Sequence, residues 1–276
     1  AGVLPLNEWR KLSCAKYVLR CQTVENCLEN EINLRSDVKF PKRAKNVSSF
    51  QTIATYTHEF FRDGEFEPQN ISKRVTSQPI PPWETKTANY DIFKTTVNKD
   101  DNPLVMATEV RNYLHDNYRG QLEVYTDGSV LDNNHAGAGF VIPEFKLSRS
   151  FHIGKGYSIF TAELIAILMA LRTLVPMSNG IFRILFCVDS QSVLHALQAT
   201  DSKERSDIIS EIKILIHSII INGTDVNFVW IPSHCGFYYN DLVDRAAKKG
   251  AKNVCAEQVY VPHSLKERSN QFENKV

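Results

Sequence analysis

Ile181-Phe182-Arg183-Ile184-Leu185-Phe186-Cys187-Val188-Asp189-Ser190 is a nearly continuous apolar run that stops at a carboxylate. A run this short and this apolar reads as a strand over Ile181–Val188 buried on both faces, inside a sheet that helices cover. The sequence on either side agrees. Thr161–Val175 repeats Leu164, Leu168, Leu171 and Val175 at helical spacing. Further upstream, Leu122–Thr126, Ala138–Ile142 and Ser150–Ile153 read as strands. Downstream, Ser190–Gln198 is a short helix, and Lys203–Ile221 is a longer one with Ile208, Ile212, Leu215, Ile216 and Ile219 on its inner face. Val226–Ile231 is a strand, and Asn240–Lys249 is a helix with Asn240 as its starting cap and Gly250 as its stop. The order β-β-β-α-β-α-α-β-α predicts an α/β fold: a five-stranded mixed sheet flanked by helices.

The 276 residues allow one large domain or two smaller ones. Texture changes near Arg119–Gly120. Before it, helices are predicted over Asn7–Arg20, Ser48–Phe61 and Pro103–Tyr118. Between the last two, Asp63–Thr87 is rich in turn formers and carries Pro79-Ile80-Pro81-Pro82-Trp83, an extended, polyproline-type linker. The expected division is a mainly helical connector over residues 1–120, a catalytic-type domain over 121–251 and a C-terminal tail over 252–276.

Apolar residues make up 43% and charged residues 23%, which argues against a disordered chain. The net charge is only +1, so bulk positive charge cannot hold a polyanion; any nucleic-acid contact must come from a local patch or from metal ions. No continuous run of membrane-spanning length is visible, so no membrane partner is expected. Ala1–Arg10 lacks the charged-then-apolar order of a secretion signal. Six cysteines with no CxxC pair fit free thiols in a reducing, intracellular compartment, cytoplasmic or nuclear, better than a disulfide framework or a zinc knuckle.

Four acidic residues stand at telling positions. Asp127 is expected directly after the first strand, and Asp189 directly after the buried one. Glu163 and Asp244 fall near the starts of helices. Each has an ordinary reading as a turn former or as a complement to a helix dipole. Together, two strand ends and two helix starts could converge at one end of the sheet. Four clustered carboxylates repel one another unless divalent cations neutralise them. Oxygen donors without a Cys or His set favour Mg²⁺, with Mn²⁺ as substitute, in a pair suited to phosphodiester hydrolysis.

Tyr125-Thr126-Asp127-Gly128-Ser129, Thr161-Ala162-Glu163-Leu164, Val188-Asp189-Ser190-Gln191, and Ser233-His234-Cys235-Gly236 with Asn240-Asp241-Leu242-Val243-Asp244 resemble the cellular-type ribonuclease H family, in order and in interval, over roughly Gln121–Ala251. The resemblance implies a ribonuclease H-like fold and an endonuclease that cuts the RNA strand of RNA–DNA hybrids with two Mg²⁺ ions. It implies Asp127, Glu163, Asp189 and Asp244 as metal ligands and His234 as a mobile-loop histidine that aids proton transfer or product release. Gly128 and Ser129 would approach the RNA backbone, Gln191 would touch the minor groove, and Asn133 and Ser158 would form a pocket for a DNA-strand phosphate. The chain departs from that pattern in Ile159-Phe160 ahead of Glu163, in Asp241 where Glu is common, and in running from the helix ending at Ile221 almost directly into the next strand, without an extra basic helix.

Gly2-Val3-Leu4-Pro5-Leu6, the Arg10–Arg20 helix and Pro79–Trp83 resemble the segment joining reverse transcriptase to ribonuclease H in non-LTR retrotransposon polyproteins. This implies a retrotransposon origin and an upstream or separate reverse transcriptase as partner. Two alternatives remain at this level: a catalytically inactive hybrid-binding or scaffold remnant, and an integrase- or transposase-like chemistry on the same fold.

Overall fold

A computed structural model describes residues 6–23, 71–75, 84–95, 103–178, 180–200, 202 and 204–273. In chain order the elements are α1 (Leu6–Gln22), β1 (Asn89–Ile92), α2 (Pro103–Tyr118), β2 (Leu122–Val130), β3 (His135–Ile142), β4 (Leu147–Lys155), α3 (Ile159–Leu174, continued by a 3₁₀ turn over Val175–Met177), β5 (Arg183–Val188), α4 (Gln191–Gln198), α5 (Ser206–Ile221), β6 (Asp225–Trp230), α6 (Tyr238–Lys252), β7 (Glu257–Gln258) and α7 (Leu265–Glu273). The helix expected over Ser48–Phe61, the Pro79–Trp83 stretch, Gly2–Pro5 and Cys27 lie outside the described residues.

Two compact units form, one from residues 1–74 and 262–276, the other from Val75–Val261. The compact nuclease-type unit therefore begins upstream of the Arg119–Gly120 break, because β1 and α2 pack on its sheet.

In the larger unit the strands run β1-β6-β5-β2-β3-β4-β7. The five expected strands form the middle, and the two short strands β1 and β7 extend the edges. β1, β6, β5 and β2 are parallel, β3 is antiparallel to β2 and β4, and β7 is parallel to β4. Period-two alternation sorts the side chains to the two faces. Leu122, Val124, Ile184, Phe186 and Phe228 join α3, α4 and α5 in one core layer. Tyr125, Leu185, Cys187 and Val229 face the other way, against Val110 and Leu114 of α2 and Val243 of α6. The result is three layers, with Val124, Phe186 and Phe228 wholly buried.

β1 is held by more than its ladder. Asp91 accepts hydrogen bonds from the Tyr113 and Tyr118 hydroxyls of α2, the latter at 2.7 Å. Phe93 N–H donates to Trp230 O at 3.1 Å. These links carry α2 onto the sheet.

Two sequence readings need correction. The stretch Ile159–Met177 is long and apolar enough to cross a membrane by length and composition, although Thr161, Glu163 and Arg172 interrupt its apolar run. It is the central core helix, largely buried against β2 and β3. The last helix of the nuclease-type unit begins at Tyr238 after Phe237, so Asn240 is inside it, and Gly250 does not end it.

The smaller unit pairs α1 with α7. Ile71 bridges His263, and Ser264 and Glu267 satisfy each other's backbone N–H groups in a capping box that starts α7. Residues after 252 are thus partly ordered as β7 and α7 rather than a plain tail.

Gly250 explains how closely α6 sits. A Cβ there would strike Phe151 O of β4 and come within 2.9 Å of Phe151 C and N. Helix propensity alone favours Gly250→Ala by about 1 kcal/mol. The backbone clash outweighs it, so Gly250→Ala is expected to destabilise the protein by about 1–3 kcal/mol in chemical denaturation. A stabilised variant would refute this packing.

Candidate active site

The parallel ladder between β2 and β5 ends at the rung Thr126–Val188. Asp127 and Asp189 each stand one residue beyond that rung, on adjacent strands about 4.8 Å apart. Both continue the alternation of Tyr125 and Cys187, which brings the two carboxylates to one face. Asp127 does not follow its strand, as expected from sequence, but sits inside it: β2 continues to Val130, and Asp127 pairs with Gly139 of β3. Trp230 Nε1–H donates to Asp189 O at 2.9 Å and fixes the main chain there.

Glu163 arrives from the opposite layer. It is the fifth residue of α3, in the second turn rather than the first. Its approach depends on Gly128. A Cβ on Gly128 would strike the Glu163 backbone nitrogen and stand 2.6 Å from Ala162 C. With only hydrogen there, α3 seats directly on β2, and the Gly128 N–H bonds to the carboxylates. Ser158 caps α3, its Oγ accepting from Thr161 N–H at 3.2 Å.

Asp127, Glu163 and Asp189 each offer a carboxylate oxygen within 4.8 Å of the others. Asp244 is outside that triplet, in the second turn of α6, with Lys248 Nζ at 2.8 Å. It is still close enough to act on Asp127 and Asp189 electrostatically. His234 is exposed in a left-handed conformation (φ 51°), flanked by buried Cys235 and Phe237, and its charge lowers the Asp189 pKa. Three of the five expected catalytic positions, Asp127, Glu163 and Asp189, are thus brought together directly, while His234 and Asp244 act on them through charge, Asp244 from the rim with Lys248 as a competing partner.

The expected substrate contacts are more dispersed. Ser129 is buried in β2 opposite Gly137. Asn133 is exposed in the β2–β3 turn, its Oδ1 accepting from His135 N–H at 3.3 Å. That turn is tied to the segment before Ser158 by Gly156 N–H donating to Asn134 O at 3.0 Å. Gln191 is exposed at the start of α4, two residues beyond Asp189.

Sequence reasoning missed Asn240. Its side chain is buried and hydrogen-bonds Asp189, while its Oδ1 has no partner among the described residues. The spacing Asn240, Val243, Asp244, Ala247 puts it on the inner face of α6, the one signal available beforehand.

Burial is the largest cause of the carboxylates' shifts, with mutual repulsion added. Asp127 is pushed up to about 8, first by burial and then by Asp189 and Asp244. Glu163 is raised by burial and by Asp127; Asp189 is raised by burial, against the opposing pull of Asn240 and His234. Glu163 Oε2 is buried with no hydrogen-bond partner among the described residues. An oxygen-only donor set with an unsatisfied buried lone pair fits a hard divalent cation.

The shifts fix a pH dependence. Unfolded, Asp127 ionises near about 4; folded, it holds its proton to about 8. Between those values the folded chain binds the extra proton, so its contribution to stability is complete below the lower value and falls as pH rises through the upper one. Glu163 and Asp189 act in the same direction. In chelator the melting temperature is therefore expected to be lower at pH 8 than at pH 6, to recover at pH 8 when Mg²⁺ is added, and to lose much of this slope in Asp127→Asn. A flat profile in the wild type would contradict the coupling.

Residues 119–252 match the family model for RNase H. The Ribonuclease H of Haemophilus influenzae (strain 86-028NP) is 29% identical over 154 residues, 50% of this chain and 95% of that protein. The Ribonuclease HI of Pasteurella multocida is 28% identical over 154 residues, with the same coverage. The crystal structure of RNase H1 from the archaeon Halobacterium salinarum aligns with 48% of this chain and 97% of its own, at 20% identity and a TM-score of 0.37. With its mixed sheet, its flanking helices and its acidic cluster, the segment over residues 119–252 is a domain of the ribonuclease H family.

Proposed function

We propose that this chain is an endonuclease that hydrolyses the RNA strand of RNA–DNA hybrids. The observation that carries the reading is the triplet of buried Asp127 and Glu163 with half-buried Asp189, and its unsatisfied Glu163 oxygen, inside the family domain. Asp127, Glu163 and Asp189 would hold the ions, with Asp244 joining from α6. When bound, two Mg²⁺ ions, or Mn²⁺ in their place, supply Lewis acidity for the attacking water and the departing ester oxygen.

The chain's own residues do the rest. Asp127 and Asp189, fixed by adjacent strands, and Glu163, fixed by Gly128, form a rigid frame that needs no rearrangement. Asn240 orients Asp189. His234, exposed on its loop beside Asp189, is placed to deliver a proton to the departing oxygen or to assist release of product. Water adds to phosphorus, one phosphorus–oxygen ester bond breaks, and the leaving oxygen takes up the proton. Gly128, Ser129 and Gln191 would line the hybrid, where a test for the 2′-hydroxyl separates RNA from DNA. Asn133 and Ser158 would meet a DNA-strand phosphate; Ser158 Oγ would do so while also capping α3. The resemblance of residues 2–6, 10–20 and 79–83 to a retrotransposon connector supports an origin in such an element, with an upstream or separate reverse transcriptase as partner. The five described cysteines are all free thiols, which suits an intracellular site of action.

A second reading, a non-catalytic hybrid-binding remnant, is favoured by one observation: Asp244 is engaged by Lys248. The deciding experiment is cleavage of an end-labelled RNA–DNA hybrid in Mg²⁺. RNA-strand cutting is expected, falling more than about a thousandfold in Asp189→Asn, and by about ten- to a hundredfold in His234→Ala. Lys248→Gln, which frees Asp244, is expected to lower the Mg²⁺ concentration for half-maximal rate about twofold. No cutting by the folded protein in either Mg²⁺ or Mn²⁺ would establish the remnant instead.

A further inference from the structure

With a net charge of +1, a grip on nucleic acid must be local. Away from the carboxylates, a concavity of about 470 Å³ opens where α2, the start of β2 and the first turn of α6 meet. Arg111 and His115 of α2, Arg119 just after it, and Tyr238 and Tyr239 of α6 line it, with Glu123 of β2. Arg111 and Arg119 are exposed, and neither has a hydrogen-bond or ion-pair partner among the described residues. The carboxylate of Glu123 accepts from the Tyr125 hydroxyl at 2.7 Å. Tyr238 is 58% exposed, a large aromatic surface left in water beside the two exposed guanidinium groups.

The concavity is joined to the acidic cluster by a stiff row of rings. Tyr239 stacks on Tyr125 at 5.3 Å, and Tyr238 meets Tyr239 edge-on at 5.2 Å. Tyr125 is two residues before Asp127 on the same strand face, and Glu123 two before Tyr125. Four residues of strand span about 13 Å. On a bound duplex the concavity therefore lies a few nucleotide steps from the acidic cluster.

We propose that this concavity binds a backbone phosphate of the duplex flanking the cut, held by Arg111 and Arg119, with Tyr238 against the adjoining sugar or base. Guanidinium pairs match phosphate geometry, and an exposed ring beside them adds the sequence-tolerant contact common in nucleic-acid tracks. Arg111 and His115 come from α2, upstream of the family segment at 119–252, and Arg119 is the first residue of that segment. This grip would supply the local positive charge that the composition withholds. The proposal rests on the hybrid-cleavage reading of the acidic site.

The test uses the full chain. Binding of a labelled long hybrid is followed by anisotropy across a salt series, in an Asp189→Asn background that prevents cutting. Arg111→Ala with Arg119→Ala is expected to weaken binding about tenfold at low salt and to reduce the log–log salt slope by about two; Arg119→Gln alone should reduce it by about one. In the cutting-competent protein the double variant should raise KM and leave kcat within about twofold, because the contact is equal in ground and transition states. A hybrid too short to reach from the acidic cluster to the concavity should be bound equally by both proteins. Unchanged slope and KM, in a protein that binds and cuts normally, would overturn this inference and leave the hydrolase reading intact. Failure of the unmodified chain to bind or cut any hybrid would overturn both.

Discussion

Everything in the larger unit is arranged around three carboxylates kept within 4.8 Å of one another and largely out of water. Like charges at that distance resist ionisation, and burial adds to the resistance. The polypeptide holds them together by rigidity. Asp127 and Asp189 follow the same rung of a parallel ladder, in a sheet covered on both faces. Glu163 is delivered by a core helix whose backbone touches the neighbouring glycine. None of the three can swing away without breaking main-chain hydrogen bonds or core packing. The frame thus holds an electrostatic tension that a bound divalent cation would relieve.

The same close approach recurs on the other face of the sheet. There α6 seats at Gly250 against Phe151, which brings Asn240 and Asp244 to the cluster's edge. The two helices therefore reach the carboxylates from opposite layers, each admitted by a missing side chain. Asp244 differs from the triplet in being half-buried and engaged by Lys248, so its position answers to a surface ion pair rather than to the core. The site accordingly combines a fixed centre with an adjustable rim, on which the His234 loop also stands.

The middle of the sheet was legible in sequence because strong periodic signals carry it. The apolar run before Asp189 reads as a buried strand, and the Leu164, Leu168, Leu171 repeat reads as a helix. Three of the four acids could be located from where those elements stop and start, although Asp127 proved to be inside β2, since strand pairing with β3 continues past the point where hydrophobicity fades. The short edge strands β1 and β7 were not legible: four and two residues carry no periodicity, and only their partners β6 and β4 make them strands. Local rules also misread α6. Asn240 looked like a cap and Gly250 like a stop, but tertiary contacts use the first to bond Asp189 and the second to admit Phe151. The first contact leaves only the inner-face spacing of Asn240 as a local signal, and the second leaves none.

The parallel pairing of β1 with β6 makes the upstream segment part of the sheet. Asn89–Ile92 covers the outer edge of β6, Asp91 ties α2 down through two tyrosine hydroxyls, and Val110 and Leu114 close the core face. A fragment trimmed to residues 119–252 would keep every carboxylate, yet it would bare a row of unpaired β6 backbone groups beside an uncovered apolar face. Such an edge templates chain-to-chain association. The boundary that suffices to recognise the domain is therefore narrower than the boundary that keeps its sheet edge paired and its apolar face covered.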